Sequence, residues 1–493
     1  MLENTAGIKE LIAIMKRLDA GIISTRAAQT AVVNALIASG CQVAHEGSGL
    51  FRVYKEYFRN PTIHAQTVMK RLNMSRAQLL EAHRLLQSSR LLASAWQGNL
   101  YPRSLLVRYG VQLTRYLDDN PDFIDSIIGG QPSIYMLEIH PTKGACTYAC
   151  RMCLWSGGGK FTARQMKTDA GKSLLSTERW INLLAEAKDL GVRRVIISGG
   201  GEPLLDEKKF SGVTEAAKRL GIETMIYTNG RLLTKLSEKA MDAILSADWL
   251  RISMHAATPE VYAKLINRPL GRRDLEFVSR GIERLVTMKT VHRSSLHIGI
   301  GVVIQEVNFD QIPMLAKFAE QSGVNFLDIR GDCIGISETL SPVQLETVFR
   351  DLRDVRDRSM NYALPFKLTI ADDLLLQMER WQEMALTPPH RCWIPVLRPA
   401  IDPYGTVCAC DSIGEPYTRS ISPDVYVFGS YHAMPLQSLL ASALRKPLGI
   451  WCKHCMPGQL ALNALFEKIV ADYQLGILPR DQPYFFNDNG ESL

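Results

Sequence analysis

Six short runs rich in apolar and β-branched residues recur between residues 133 and 332, separated by stretches whose apolar positions repeat with the period of a helix. The runs are SIYMLEIH (133–140), RRVIISGG (193–200), ETMIYTNG (223–230), WLRISMHA (249–256), HIGIGVVIQ (297–305) and FLDIRGD (326–332). Short strands alternating with helical crossovers are the pattern of βα units around a parallel sheet, whose helices cover the apolar strands. Six units in series predict an α/β chain with a partial, TIM-like (β/α)6 barrel. The stretch STERWINLLAEAKDLG (176–191) shows how sharply one crossover is bounded: Ser176 or Thr177 with Glu178 reads as a capping box, and Gly191 closes the helix.

Residues 1–130 carry helical patterns near 6–18, 24–38, 61–72 and 75–90 without a strand series, and are read as a separate helical accessory domain. Within it NPTIHAQTVMKRLNMSRAQLLEAHRLLQSS resembles a helix-turn-helix, and residues 51–116 hold many bases, among them Arg52, Lys55, Lys70, Arg71, Arg84 and Arg108. A DNA-reading role stays open on that pattern. The expectation is a docking or lid domain with a solvated basic face, because no dimerisation or groove-reading signature accompanies the helices. The barrel is assigned to residues 131–345, and 346–493 to a small α+β domain ending in a Pro- and Cys-containing tail.

The 493 residues are 46% hydrophobic and 22% charged, which is ordinary for a soluble protein, and the net charge of +7 argues only weakly for anionic partners. The first twenty-odd residues lack the apolar core and cleavage site of a secretion signal, and no run reaches the roughly 18–20 apolar residues a membrane span needs. A cytoplasmic protein without a membrane partner is therefore expected. In that reducing compartment the ten cysteines are read as metal ligands before disulfides, and eight of the ten fall into two clusters.

The first cluster, GACTYACRMCLWSGGG (144–159), places Cys146, Cys150 and Cys153 on the loop after the first strand. Structural zinc wants four closed ligands, and His140 is the one candidate for a fourth. Three cysteines on a cubic iron-sulfur cluster instead leave one iron without a protein ligand, free to chelate a small molecule.

The C-x3-C-x2-C spacing after a first strand resembles the radical S-adenosylmethionine (SAM) superfamily, with Met152 where an aromatic residue usually stands. Further stations follow in the family's order. SGGGEPLL (198–205) resembles the motif in which Gly200 and Gly201 admit the methionyl amino group and Glu202 helps to hold it. RISMHA (251–256) brings Ser253 and His255 to the strand end that holds ribose and carboxylate in the family, and LDIRGD (327–332) aims Arg330 at the SAM carboxylate or the substrate. The resemblance implies a 4Fe-4S cluster, SAM as cofactor, and reductive cleavage of SAM to a 5'-deoxyadenosyl radical that abstracts hydrogen from an unactivated carbon. Arg330 and His255 are the candidates for catalytic residues.

The second cluster reads RCWIPVLRPAIDPYGTVCACDS (391–412) and WCKHCMPG (451–458). Cys392, Cys410, Cys452 and Cys455, with Gly405 in a turn between two short strands, resemble the twitch form of the SPASM extension, which binds one auxiliary 4Fe-4S cluster. A closed structural zinc site is the alternative for four such cysteines. Cys408 competes with Cys410 for the ligand position, and Cys410 is preferred because it fits the G-x4-C spacing.

The order of NLYPRSLLVRYG, SGGGEPL, YTNGRLLT, TPEVYAKL and FLDIRGDCIG resembles the desosamine-pathway radical SAM deaminases, although those lack the auxiliary cysteines. That resemblance implies a small-molecule substrate of sugar, amino-sugar or cyclitol type, nucleotide-linked forms included, with oxidation or elimination as outcome. A flavodoxin or ferredoxin would donate the electron, and nucleic acid is not an expected partner. A radical maturase of a peptide or protein is the alternative; an iron-sulfur DNA-binding regulator is a third, non-enzymatic class.

Overall fold

The structure is a computed structural model that describes residues 30, 51–56, 65–79, 82, 112–142, 146–153, 155, 173–268, 271–332, 340–360, 364–371, 374, 391–414, 424–445 and 457–474. Two compact units result: residues 1–125 with 380–390 and 459–493, and residues 126–379 with 391–458.

In the first unit the helix Ala65–Leu72 ends at Asn73, whose φ of 53° is left-handed. Ser75 then restarts the helix: its Oγ accepts from Gln78 N at 3.3 Å and its own N–H donates to Gln78 Oε1 at 2.8 Å. This is a helix-turn-helix corner at the position read from sequence. In the same unit Phe123 stands edge-on to Tyr116 at 4.9 Å and to Phe466 at 6.0 Å.

The second unit is built on a parallel sheet. Strands β1 (Met136–Ile139), β2 (Arg194–Ile197), β3 (Glu223–Thr228), β4 (Trp249–Ser253), β5 (His297–Val303) and β6 (Phe326–Arg330) pair in sequence order. All six fall inside the apolar runs, and each crossover carries a helix, so the chain is an α/β partial barrel. Ser176 caps the first crossover helix, Thr177–Asp189, by accepting from Arg179 N at 3.2 Å. Arg179 occupies the position a capping box gives to Glu, so the cap is single rather than reciprocal.

Register decides which side of the sheet does chemistry, because in-register partners share a face. One face carries Leu137, Ile139, Val195, Ile197, Ile226, Leu250, Ile252, Ile298, Ile300, Leu327 and Ile329, all fully buried. At about 1.5–3 kcal/mol per large side chain, this layer is a main stabilising term of the unit. The opposite face carries Glu223, Tyr227, Trp249, Arg251, Ser253, His297, Asp328 and Arg330. This is the lumen of the partial barrel, and it is polar.

The sheet extends past both ends of the six-strand series. A seventh strand, β7 (Lys367–Ile370), joins β6 in parallel, beyond the six strand runs read from the sequence. At the other edge β8 (Ala400–Ile401) lies parallel to β1, and β9 (Thr406–Cys408) and β10 (Val427–Ser430) follow antiparallel. The β8–β9 turn is the predicted one. Asp402 Oδ1 accepts from Tyr404 N at 2.9 Å and Thr406 N at 2.8 Å, and Gly405 takes a φ of 74°. Among the described residues no helix is long and apolar enough to cross a membrane.

Candidate functional site

The loop after β1 hangs from its neighbours by backbone hydrogen bonds. Ala149 N donates to Ile266 O at 3.1 Å and Arg151 N to Leu265 O at 3.0 Å, so the loop sits on the C-terminal end of the helix Pro259–Leu265. Those carbonyls are the ones a helix end leaves without intrahelical donors, which makes the end a natural seat for a loop. Arg268 adds a third tie, donating from Nη1 to Thr147 O at 2.9 Å.

This loop carries Cys146, exposed, and Cys150 and Cys153, half-buried. Burial pushes the thiols of Cys146 and Cys150 up, and each is raised further by the charge of its neighbours, Cys153 in both cases. Thiols gathered this way ionise only with positive charge beside them. Yet among the described residues no three His, Cys, Asp or Glu side chains converge on a point that one ion could occupy. Three cysteines with one ligand position open would suit an iron-sulfur cluster better than structural zinc, which closes on four ligands. His140 turns Nε2 toward Glu138 Oε1 at 3.4 Å and stands edge-on to Trp155 at 5.0 Å between ring centres.

Beside the cysteines lies the glycine loop after β2. Gly200 has a φ of 71°, and a Cβ there would stand 1.9 Å from Thr142 O and 3.0 Å from Pro403 Cγ. The close approach that this glycine permits is to the chain's own backbone. Gly201 follows, half-buried, and leads into Glu202, which is 2% exposed. Glu202 Oε1 accepts from Thr228 Oγ1 at 2.7 Å and Leu204 N at 3.1 Å, and Oε2 accepts from Asn229 N at 2.8 Å. Burial, opposed by these three donors, leaves the carboxyl above its ordinary range. Much of its hydrogen-bonding capacity is spent on fixing the end of β3.

What Glu202 fixes is Asn229. The Asn229 side chain donates from Nδ2 to Thr147 Oγ1 at 3.0 Å and to Cys146 Sγ at 3.5 Å, while its Oδ1 accepts from Arg231 N at 3.0 Å. Tyr148 N also points at Cys146 Sγ, at 3.5 Å. YTNG closes the third strand run, and a polar residue directly after a strand of the barrel is the sequence signal for this contact.

Farther round the lumen, Ser253 ends β4 in register with Gly301. His255 follows, buried, and its Nδ1 accepts from Val303 N at 3.1 Å. That bond places the ring proton on Nε2, so His255 offers a neutral N–H donor. Burial first, then the charge of Arg251, lowers its pKa to about 4.

Arg330 ends β6 about one-third exposed, donating from Nη2 to Asp328 Oδ2 at 3.0 Å. Arg251 Nη1 reaches the same oxygen at 2.9 Å and lays its guanidinium over the Tyr227 ring at 3.8 Å. A Cβ at Gly301 would meet Arg251 Cδ and Nε at 2.8 Å, so that glycine leaves Arg251 its room. Asp328 Oδ1 and Arg251 Nε are buried without a hydrogen-bond partner among the described residues. Neither residue was singled out from sequence. Charged residues inside an apolar strand run were the sign.

In the C-terminal part Cys392 is half-buried, and Cys408 and Cys410 are buried at and just beyond the end of β9. Cys452 and Cys455 lie outside the described residues, as do Cys41 and Cys333.

Residues 141–319 match the model of the Radical SAM superfamily. This chain carries a radical SAM domain. The match begins just before the cysteine loop and takes in β2 to β5 of the barrel. The chain is similar to a probable GTP 3',8-cyclase of Methanocaldococcus jannaschii, 26% identical over 43% of this chain and 68% of that protein. It is also similar to the PqqA peptide cyclase of Rhizobium meliloti, 32% identical over 23% of this chain and 28% of that protein. Among solved structures, Streptococcus suis SuiB bound to S-adenosylmethionine aligns with a TM-score of 0.48 and 15% identity, over 67% of this chain and 69% of that one. A radical SAM domain implies a 4Fe-4S cluster and SAM, and the donor set on the cysteine loop fits that cluster.

Proposed function

We propose that this chain is a radical SAM enzyme that takes hydrogen from a polar, carbohydrate-like substrate held in the barrel lumen. Cys146, Cys150 and Cys153 would hold the cluster. Gly200, Gly201, Ser253 and His255 would lie along SAM, with Glu202 keeping the glycine loop and β3 in place. When bound, cluster and SAM together supply one-electron chemistry that removes hydrogen from an unactivated carbon. The chain's own contribution is to orient that carbon and to keep water out.

The observation that carries the substrate class is Asp328. Its Oδ1 is buried in the lumen without a partner among the described residues, while Oδ2 is held by Arg251 and Arg330. A buried acceptor left open costs about 1–3 kcal/mol, and a hydroxyl or ammonium of a sugar, amino sugar or cyclitol would satisfy it. The Arg330 guanidinium and the Nε2–H of His255 offer donors to the same class of molecule. Similarity to the PqqA peptide cyclase favours the second reading, a radical maturase of a peptide.

For the C-terminal part the proposal is a twitch-type auxiliary 4Fe-4S cluster on Cys392, Cys410, Cys452 and Cys455, with zinc as the competing occupant. The proposed division is residues 1–130 as the accessory domain, 131–345 as the barrel and 346–493 as the auxiliary domain, with 380–390 and 459–493 falling in the compact unit of the N-terminal residues. A flavodoxin or ferredoxin would be the electron donor, in the cytoplasm. The test is anaerobic reconstitution followed by assay of 5'-deoxyadenosine from SAM with dithionite, on wild type and on the Cys146→Ala, Cys150→Ala, Cys153→Ala triple variant. Cleavage retained by the triple variant would sink the assignment. Aminocyclitols and nucleotide sugars deuterated at ring carbons, set against candidate peptides, then decide between the readings by which passes deuterium into 5'-deoxyadenosine.

A further inference from the structure

We infer that Asn229 is a positioning residue that sets the reduction potential of the cluster, by donating its Nδ2–H to the sulfur of Cys146. This rests on the radical SAM reading of the cysteine loop and adds to it a residue outside that loop.

The geometry is over-determined at both ends of the contact. Asn229 Nδ2 lies 3.5 Å from Cys146 Sγ and 3.0 Å from Thr147 Oγ1, so one amide spans two residues of the loop. The amide cannot turn away. Its Oδ1 is engaged by Arg231 N at 3.0 Å, and its backbone N–H is held at 2.8 Å by the buried carboxylate of Glu202. Glu202 is itself fixed by Thr228 Oγ1 and Leu204 N. The chain Glu202, Asn229, Cys146 therefore runs from the glycine loop of β2, through the end of β3, to a cluster ligand after β1.

A hydrogen bond to a ligating sulfur withdraws electron density and favours the reduced, more negative cluster. The potential of an iron-sulfur centre accordingly rises with each N–H aimed at its sulfurs. Cys146 takes two such bonds, from Tyr148 N and Asn229 Nδ2, both at 3.5 Å. The first is backbone and is built into the loop. The second comes from another strand, and only that one can be removed by a side-chain change.

Asn229→Asp isolates the donor, because a carboxylate can keep the acceptor for Arg231 N while presenting an oxygen to Cys146. Asn229→Ala removes both ends of the amide. Each variant and wild type is reconstituted anaerobically, iron is counted, and the potential is read by titration of the reduced-cluster electron paramagnetic resonance signal that changes on adding SAM. The expected result is clusters in the variants with the midpoint shifted to more negative potential, further in Asn229→Asp than in Asn229→Ala. Should Asn229→Asp fail to hold a cluster, the negative shift in Asn229→Ala alone supports the assignment. A midpoint equal to wild type in either assembled variant overturns it. So does loss of the cluster from both, since Asn229 would then serve assembly and not potential. A wild type without any SAM-responsive signal would instead defeat the radical SAM reading, leaving the two failures distinguishable.

Discussion

Arg398 donates from Nε to Glu138 Oε2 at 3.0 Å, joining the segment before β8 to the first strand of the barrel across 260 positions of sequence. Glu138 is buried, and burial alone would raise its pKa, but the Arg398 guanidinium, with help from His140 and Ser198, outweighs burial and holds the carboxyl well below its usual range. The β1–β8 pairing and this ion pair lock the same two segments together. Removing Arg398 alone leaves Glu138 buried without its main counter-charge, whereas removing both leaves only Asp411, which Arg398 Nη2 also reaches at 3.5 Å, to be compensated. Arg398→Met is expected to lower stability by about 3–5 kcal/mol, and the pair Glu138→Gln, Arg398→Met by clearly less. Urea unfolding of the two proteins decides; equal losses would mean the pair is not coupled.

His255 gives stability an acid limb. Its pKa is about 4 in the fold against an ordinary 6.5, lowered by burial and by Arg251. Between those values the unfolded chain binds a proton that the folded chain refuses, so stability present above pH 6.5 is lost as pH falls toward 4. The full effect is at most about 3 kcal/mol. The advantage of wild type over His255→Gln in urea midpoint should therefore shrink between pH 7.5 and pH 5. A gap that stays constant with pH would count against the assignment.

Gly200 and Gly323 share a φ of 71°, but a Cβ at Gly200 would lie 1.9 Å from Thr142 O whereas at Gly323 the nearest atom is Val286 Cγ1 at 3.5 Å. Gly323→Ala thus measures the left-handed backbone cost alone, about 1–2 kcal/mol. Gly200→Ala adds the collision. The melting temperature should fall by about 2–4 °C per kcal/mol, with Gly200→Ala falling well beyond Gly323→Ala. Equal falls would show that the loop at 140–142 moves aside freely.

Single Cys146→Ala, Cys150→Ala or Cys153→Ala variants should each lose SAM cleavage, while Cys392→Ala keeps it. Iron per chain reads the same distinction. The loop variants should lose about four irons, and Cys392→Ala should retain those of the SAM-binding cluster.

The sequence by itself determined the six central strands of the sheet and the spacing of three cysteines on one loop. Strand runs and helix caps are local signals, carried by periods of two and 3.6 residues, and β1 to β6 stand inside the runs that display them. The cysteine spacing lies within one loop, so it too was legible, as were the turn at Gly405 and the helix-turn-helix corner at Asn73 and Ser75.

Tertiary structure decided what depends on pairing across the chain. That β7 and β8 would extend opposite edges of one sheet is a choice of hydrogen-bond partner, and four residues of strand do not encode their neighbour. Which strand face is lumen, and hence that Arg251, Arg330 and Asp328 meet there, follows from register alone. Asn229 reaches Cys146 across 83 positions, and Arg398 reaches Glu138 across 260. Such contacts obey no short period. They exist because folding brings to one end of the barrel groups whose buried polar atoms need partners, and the partner is chosen by distance in space.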